Sequence, residues 1–207
     1  MDIGKRVFLF ASAMAFLCAC SSDDDSNVAP EKLWLSYLPL QVGNYWEFTS
    51  INTPKDGIVV HREVKGTAQL NGYEYYLIIS NSVDSTYYRV EQNGDVYTYR
   101  RGMDNEQLSY KLFAHDGDSW SYTLEDGVGG SGRDDVMHVS VNIGSVATER
   151  KTVDDCKHYY FDVEQWVDEE HTNTLAPGVG FIREYSDAWG MGMILSKASI
   201  GGNVIEY

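Results

Sequence analysis

Tyrosine and arginine are the residues whose number and spacing most suggest chemistry. The chain holds 15 Tyr among 207 residues. Tyr87-Tyr88-Arg89 and Tyr97-Thr98-Tyr99-Arg100-Arg101 place phenol rings beside guanidinium groups. Flat rings stack on sugar faces, and guanidinium groups receive anions through paired N–H donors. Tyr87, Tyr88, Tyr97, Tyr99, Arg89 and Arg101 are therefore candidate binding residues for an anionic glycan, with Arg100 beside them. The same residue types, joined by a His, supply an acid, a base and a charge neutraliser for a polysaccharide lyase. The competing reading is packing, because Tyr favours half-buried strands.

Other chemistry finds little support. The five histidines, His61, His115, His138, His158 and His171, show no close metal spacing. Cys156 and His158 share a strand face by alternation, but no third or fourth ligand accompanies them. Asp116, Asp118 and Asp126 lack the full pattern of a calcium loop. Asp162 and Glu164 sit about 7 Å apart along one strand, a spacing a glycosidase pair could use, although pairs of acids arise by chance in so acidic a chain. Gly127-Val128-Gly129-Gly130 lacks the Lys-Ser/Thr ending of a phosphate loop, and Gly129-Gly130-Ser131-Gly132 lacks the spacing of a nucleophile elbow. No residue is assigned a catalytic or metal role, and no cofactor is expected.

The charge balance narrows the partners. With 31 acidic and 16 basic side chains the formal net charge is −15. A nucleic-acid partner is excluded, since phosphate binding needs a basic face. Docking on anionic lipid through basic residues is excluded likewise. A hydrophobic fraction of 43% supports one folded core rather than wholesale disorder.

The N-terminus reads as an address. Lys5 and Arg6 precede an apolar run from Val7 to Leu17, too short to span a bilayer, which needs roughly 20 apolar residues. Leu17-Cys18-Ala19-Cys20 resembles a bacterial lipobox, which implies cleavage after Ala19 and acylation of Cys20, with membrane attachment through that lipid anchor. Ser21-Ser22-Asp23-Asp24-Asp25 resembles the surface-export signal of Bacteroidota lipoproteins, which implies the outer face of the outer membrane. Several acyl chains on one Cys anchor stably where one does not. Residues 1–19 are then a lipoprotein signal peptide, 20–32 a lipidated acidic tether, and 33–207 the folded domain. Of the three cysteines, the mature chain keeps Cys20 and Cys156. Acylated Cys20 leaves Cys156 no intrachain partner, so no disulfide framework is expected.

From residue 33 onward, period-two patterns recur. Trp46 and Phe48 share a face, as do Ile58, Val60 and Val64, and then Tyr73, Tyr75, Leu77 and Ile79. Tyr88 and Val90, Tyr97 and Tyr99, and Trp120, Tyr122 and Leu124 continue the series. Met137, Val139 and Val141, then Tyr159, Phe161 and Val163, and finally Met191, Met193 and Leu195 complete it. Turn dipeptides such as Asn71-Gly72, Asn93-Gly94 and Gly201-Gly202 separate the runs. Gly127 to Asp135 reads as a mobile loop. Adjacent Tyr75-Tyr76, Tyr87-Tyr88 and Tyr159-Tyr160 must send one ring to each face. The prediction is an all-β fold, a single antiparallel domain built as a sandwich, a barrel or a strongly curved sheet.

Two segments extend this reading. Leu38-Pro39-Leu40-Gln41-Val42-Gly43-Asn44-Tyr45-Trp46 resembles the P-L-x-V-G-N-x-W opening of a broad group of Bacteroidota-type outer-membrane and surface lipoproteins. Leu175-Ala176-Pro177-Gly178-Val179-Gly180 resembles the A-P-G-V-G segment near the end of the same domains. The resemblance implies a half-barrel or lipocalin-like sheet and no particular activity. Physically both segments read as structural, with Trp46 as a buried anchor and Gly43 and Gly180 as turn formers. The leading expectation is a non-catalytic module binding a glycan, a peptide or an apolar ligand. A glycan-active lyase or hydrolase, and an accessory subunit of an outer-membrane complex, are the alternatives.

Overall fold

The computed structural model describes residues 37–52, 58–100, 105–124, 135–164 and 168–207. Thirteen strands occur among them: β1 (Tyr45–Ile51), β2 (Ile58–Leu70), β3 (Tyr73–Ser80), β4 (Asp84–Val90), β5 (Asp95–Arg100), β6 (Gln107–Lys111) and β7 (Ser119–Thr123), followed by β8 (Val136–Ala147), β9 (Thr152–Val163), β10 (His171–Ala176), β11 (Gly180–Ser186), β12 (Met191–Ile200) and β13 (Asn203–Glu206). All pair antiparallel in one sheet of order β6-β5-β4-β3-β2-β1-β12-β11-β10-β9-β8-β7, with β13 paired to β12. The expected all-β antiparallel fold is therefore present. A single continuous sheet sets the sandwich alternative aside.

The sheet rolls into a nearly closed barrel. Closure comes from β1 pairing β12, with Trp46 opposite Ala198 and Ser50 opposite Met193. The seam falls between consecutive strands β6 and β7, which share no ladder. Side chains bridge it: the Trp120 indole N–H on β7 reaches the Leu108 carbonyl on β6 at 3.4 Å. Tyr159 on β9 donates to the Lys111 carbonyl at 3.0 Å. The two seam strands are only 5 residues each, so the edges they present for aberrant pairing are short.

Period-two alternation fixes which side chains fill the interior. Trp46, Phe48, Val64, Ile78, Tyr88, Val96, Tyr110, Val139, Val141, Tyr159, Phe161, Phe181 and Leu195 are buried and form one core. Most expected apolar faces point inward. Two do not. On β3 the core face is Tyr76 and Ile78, which pair with inward Tyr88 and Thr86. Tyr73, Tyr75, Leu77 and Ile79 line the outer face. On β5 the core residue is Val96, opposite Val90, and Tyr97 and Tyr99 point outward. Tyr serves either environment, so a Tyr-rich strand carries no clear inward signal. The three Tyr-Tyr pairs do split between faces: Tyr88 and Tyr159 are core residues, and Tyr87 and Tyr160 lie on the opposite side.

Meander connectivity places alternate connections at opposite ends. At one end the interior is plugged. Leu38 and Leu40 are buried ahead of β1. Asn44, 2% exposed, ties this end together. Its amide donates to the Pro39 carbonyl at 2.8 Å and its oxygen accepts from the Gly201 amide at 2.9 Å. Trp46, with no exposed surface, donates its indole N–H to the Val179 carbonyl at 2.6 Å. The two segments read from the sequence as structural thus meet each other. Gly180 lies between them at φ +92°, and a Cβ there would meet Pro39 and Trp46 at 3.1 Å. Only glycine satisfies both the left-handed backbone and that space.

Candidate functional site

The opposite end of the barrel is open. A cavity of about 770 Å³ enters the lumen there, walled by the start of β2, the β3–β4 hairpin, the end of β5 and the adjoining parts of β6, β10 and β11. That volume lies within the roughly 300–1,000 Å³ of small-molecule sites.

Its deepest feature is an ion pair. Arg62 on β2 stands opposite Trp46 and Ser80, so alternation turns it inward between Val60 and Val64. Its guanidinium lies over the Phe48 and Phe181 rings, 5.3 and 5.5 Å from their centroids. Both terminal nitrogens bond the Glu184 carboxylate of β11, one of them at 2.8 Å. Burial alone would lower the Arg62 pKa, but the charge and hydrogen bonds of Glu184 outweigh it and raise it. The charge of Arg62 is thereby spent within the wall.

Aromatic hydroxyls surround the pair. Tyr110 on β6 has its pKa raised well above the ordinary value by burial, with the charge of Tyr88 and then of Glu184 adding to it. Its oxygen accepts from the Asn173 amide at 3.1 Å. Tyr88 on β4 packs edge-on against Phe181, 5.8 Å between centroids, and burial raises its pKa too. Its hydroxyl makes no hydrogen bond among the described residues. Both phenols remain protonated at neutral pH and act as hydrogen-bonding groups rather than bases. His171 lies flat on Phe161 at 4.8 Å and 5°. Its Nδ1 donates to the Glu169 carbonyl at 3.0 Å. Arg100 and Asp84 complete the charged wall. Chemically this is a recess of hydrogen-bonding groups whose formal charges balance.

No family model matches the chain, and no curated protein matches it. Two crystal structures are similar in outline. One is a provisionally named lipoprotein from Parabacteroides distasonis ATCC 8503, at 12% identity and a TM-score of 0.35, covering 82% of this chain and 99% of that one. The other is a provisionally named exported protein with a YmcC-like fold from Bacteroides fragilis NCTC 9343, at 11% identity and a TM-score of 0.34, covering 83% of this chain and 99% of that one. Both likenesses are distant, and the barrel rests on its own strand pairing.

Most of the binding candidates named from the sequence gather on the outer wall rather than in the mouth. Among the described candidates only Tyr88 faces the cavity. Tyr87 and Tyr99 lie 6.2 Å apart on the outer face, and Tyr99 lies 6.4 Å from Tyr75. Arg89, also on that face, is 8% exposed. Its guanidinium is held between the Tyr73 and Tyr97 rings at 4.3 and 4.4 Å. It bonds Glu91 at 2.7 Å and Glu106 through two nitrogens, one at 3.0 Å. Tyr75 also donates to Glu106, and burial first, then Glu106, pushes its pKa up to about 12. Arg89 thus braces the outer wall with its charge already matched. Arg101 and Cys20 lie outside the described residues. Cys156 and His158 gather no further ligand: among the described residues no three His, Cys, Asp or Glu side chains converge.

Arg62 and Glu184 escaped the sequence reading. One signal was present for Arg62, a charge flanked at i±2 by Val60 and Val64 on a face expected to be apolar. Such a charge needs a buried partner. No spacing rule names that partner, because Glu184 lies 122 positions away.

Proposed function

We propose that this chain is a lipoprotein of the outer membrane, anchored through acylated Cys20 and displayed at the cell surface, which holds the end of a glycan in its barrel mouth without chemical turnover. The observation that carries this reading is the cavity of about 770 Å³ floored by the Arg62–Glu184 pair, Tyr88, Tyr110 and Asn173. A hydroxyl-rich ligand exchanges hydrogen bonds with such a wall, whereas an apolar ligand would leave its polar groups unmatched. Protonated tyrosines favour holding a sugar over abstracting its protons.

The direction of the chain supports the reading. Residues 37–44 enter the barrel at the plugged end, the pole opposite the mouth. Trp189, 62% exposed on the β11–β12 connection at the open end, adds a ring against which a longer glycan can stack. Its indole is held by the Asp168 carbonyl at 3.2 Å.

The test is a glycan array probed with residues 21–207, read for retention and for released product. Retention without product, weakened by Tyr88→Phe and Asn173→Ala, is the expected result. Released product would replace this reading with a glycan-active enzyme, and silence on both readouts would end it. Anchoring is tested separately: Cys20→Ser should move the chain from the membrane to the soluble fraction, and protease added to whole cells should cleave the wild-type protein.

A further inference from the structure

We infer that the ligand seated in the mouth carries a carboxylate, as a uronate sugar does, and that Arg100 receives it together with the Tyr88 hydroxyl. This rests on the binding reading above and names the ligand class for the same site.

The argument is one of charge and of unmatched donors. Four charged side chains line the cavity: Arg62, Glu184, Asp84 and Arg100. Arg62 and Glu184 neutralise each other through two hydrogen bonds. Arg100 forms no ion pair among the described residues. It ends β5 opposite Thr86, and Thr86 shares the inward face of β4 with Tyr88. Its side chain lines the cavity with Tyr88, and its charge, after that of Arg62, opposes the rise that burial gives the Tyr88 pKa. Tyr88 is 9% exposed, lines the cavity and donates to nothing among the described residues. The Tyr88 hydroxyl faces the open cavity, where it can donate to a ligand acceptor in place of water. A guanidinium fork and a hydroxyl on one cavity wall suit a planar carboxylate, which accepts from both.

Asp84 sets the direction. It begins β4, opposite Ser80 at the end of β3, and is exposed. An acid held near this lip would be repelled. The carboxylate therefore sits on the Arg100 and Tyr88 side, deeper than Asp84, with the neutral ring facing outward. Because the whole chain carries a formal charge of −15, attraction for an anion is confined to this local cation.

Glucuronate against glucose, and galacturonate against galactose, isolate the carboxylate, because each pair differs only at C6. Titration of the full-length protein in detergent, followed by NMR or calorimetry, should show each uronate binding at least about tenfold tighter than its neutral partner, the scale of a charged hydrogen bond. Arg100→Gln should reduce that ratio below about threefold while its thermal melt stays at the wild-type value, as expected for an exposed strand end. Asp84→Asn should tighten uronate binding and leave glucose unchanged. Equal binding within each pair, an unchanged ratio in Arg100→Gln, or uronates that fail to bind would each overturn the inference. Neutral glycans retained on the array while uronates stay silent would refute Arg100 alone. Silence from every sugar would refute the mouth as a glycan site as well.

Discussion

Trp46→Phe measures what the contact between the two sequence segments is worth. The indole N–H donates to the Val179 carbonyl at 2.6 Å in a site with no solvent access. Phe removes the donor and leaves a buried carbonyl unmatched, at about 1–3 kcal/mol. The smaller ring also leaves a void against Pro39 and Gly180, worth roughly 1 kcal/mol at about 24 cal/mol per Å³. The edge-on contact with Phe181, 5.4 Å between centroids, survives in part. The sum is about 3 kcal/mol, which lowers Tm by roughly 6–12 °C for a domain of this size. Differential scanning calorimetry, with near-UV circular dichroism to confirm a native fold, reads the shift. Trp120→Phe is the matched control. Its N–H reaches Leu108 at only 3.4 Å and its ring is partly buried, so its cost should stay near 1 kcal/mol. If Trp46→Phe shifts Tm no more than Trp120→Phe does, the plugged end is not held by this contact and the reasoning fails.

Other consequences can be checked with equal directness. Cys156 has no exposed surface and burial pushes its thiol up to about 11; it should ignore Ellman's reagent at pH 8 in the native protein and react fully in 6 M guanidinium. His158 hydrogen-bonds Thr174 at 3.1 Å, and burial, then the charge of Arg183, lowers its pKa. The folded state therefore favours neutral His158, so stability is intact above about pH 6.5 and declines as pH falls from there through the lowered folded value. His158→Gln should flatten the fall of Tm between pH 7.5 and 5, and an unchanged slope would assign the pH effect to other groups. Glu106→Gln strips Arg89 of its main counter-charge on the outer wall and should cost about 1–3 kcal/mol in urea unfolding, while uronate binding in the mouth stays at the wild-type level.

The strands were legible because their turns and periods agree. Asn71-Gly72, Asn93-Gly94 and Gly201-Gly202 each fall between consecutive strands, with the glycines at positive φ. Faces were legible where aliphatic residues alternate, as with Val139 and Val141, and illegible where Tyr occupies successive positions. On β3 the ring of Tyr75 is 1% exposed although it lies outside the barrel, because Arg89 and Glu106 cover it. Burial there comes from a polar brace, which no hydrophobic pattern encodes. The mouth was legible only in fragments. Tyr88 was named, but grouped as a binding candidate with Tyr87, Tyr97, Tyr99 and Arg89, which the structure places on the outer wall. Its true neighbours come from β2, β6, β10 and β11, brought together by rolling the sheet. Register across a rolled sheet depends on bulges such as those between Glu47 and Phe48 and between Val64 and Gly66, and local spacing does not reveal them.

The pairing of β1 with β12 has a consequence for how the chain is made. The Ser196 hydroxyl bonds the Glu47 carbonyl across 149 positions, so the first strand waits for almost the last before it gains its second neighbour. A ribosome adds roughly 5–20 residues per second, and long-range pairing is slow even in a finished chain. The N-terminal half therefore remains without its closing partner for many seconds after it emerges. Until β12 is available, the sheet cannot close and β1 keeps an unpaired edge.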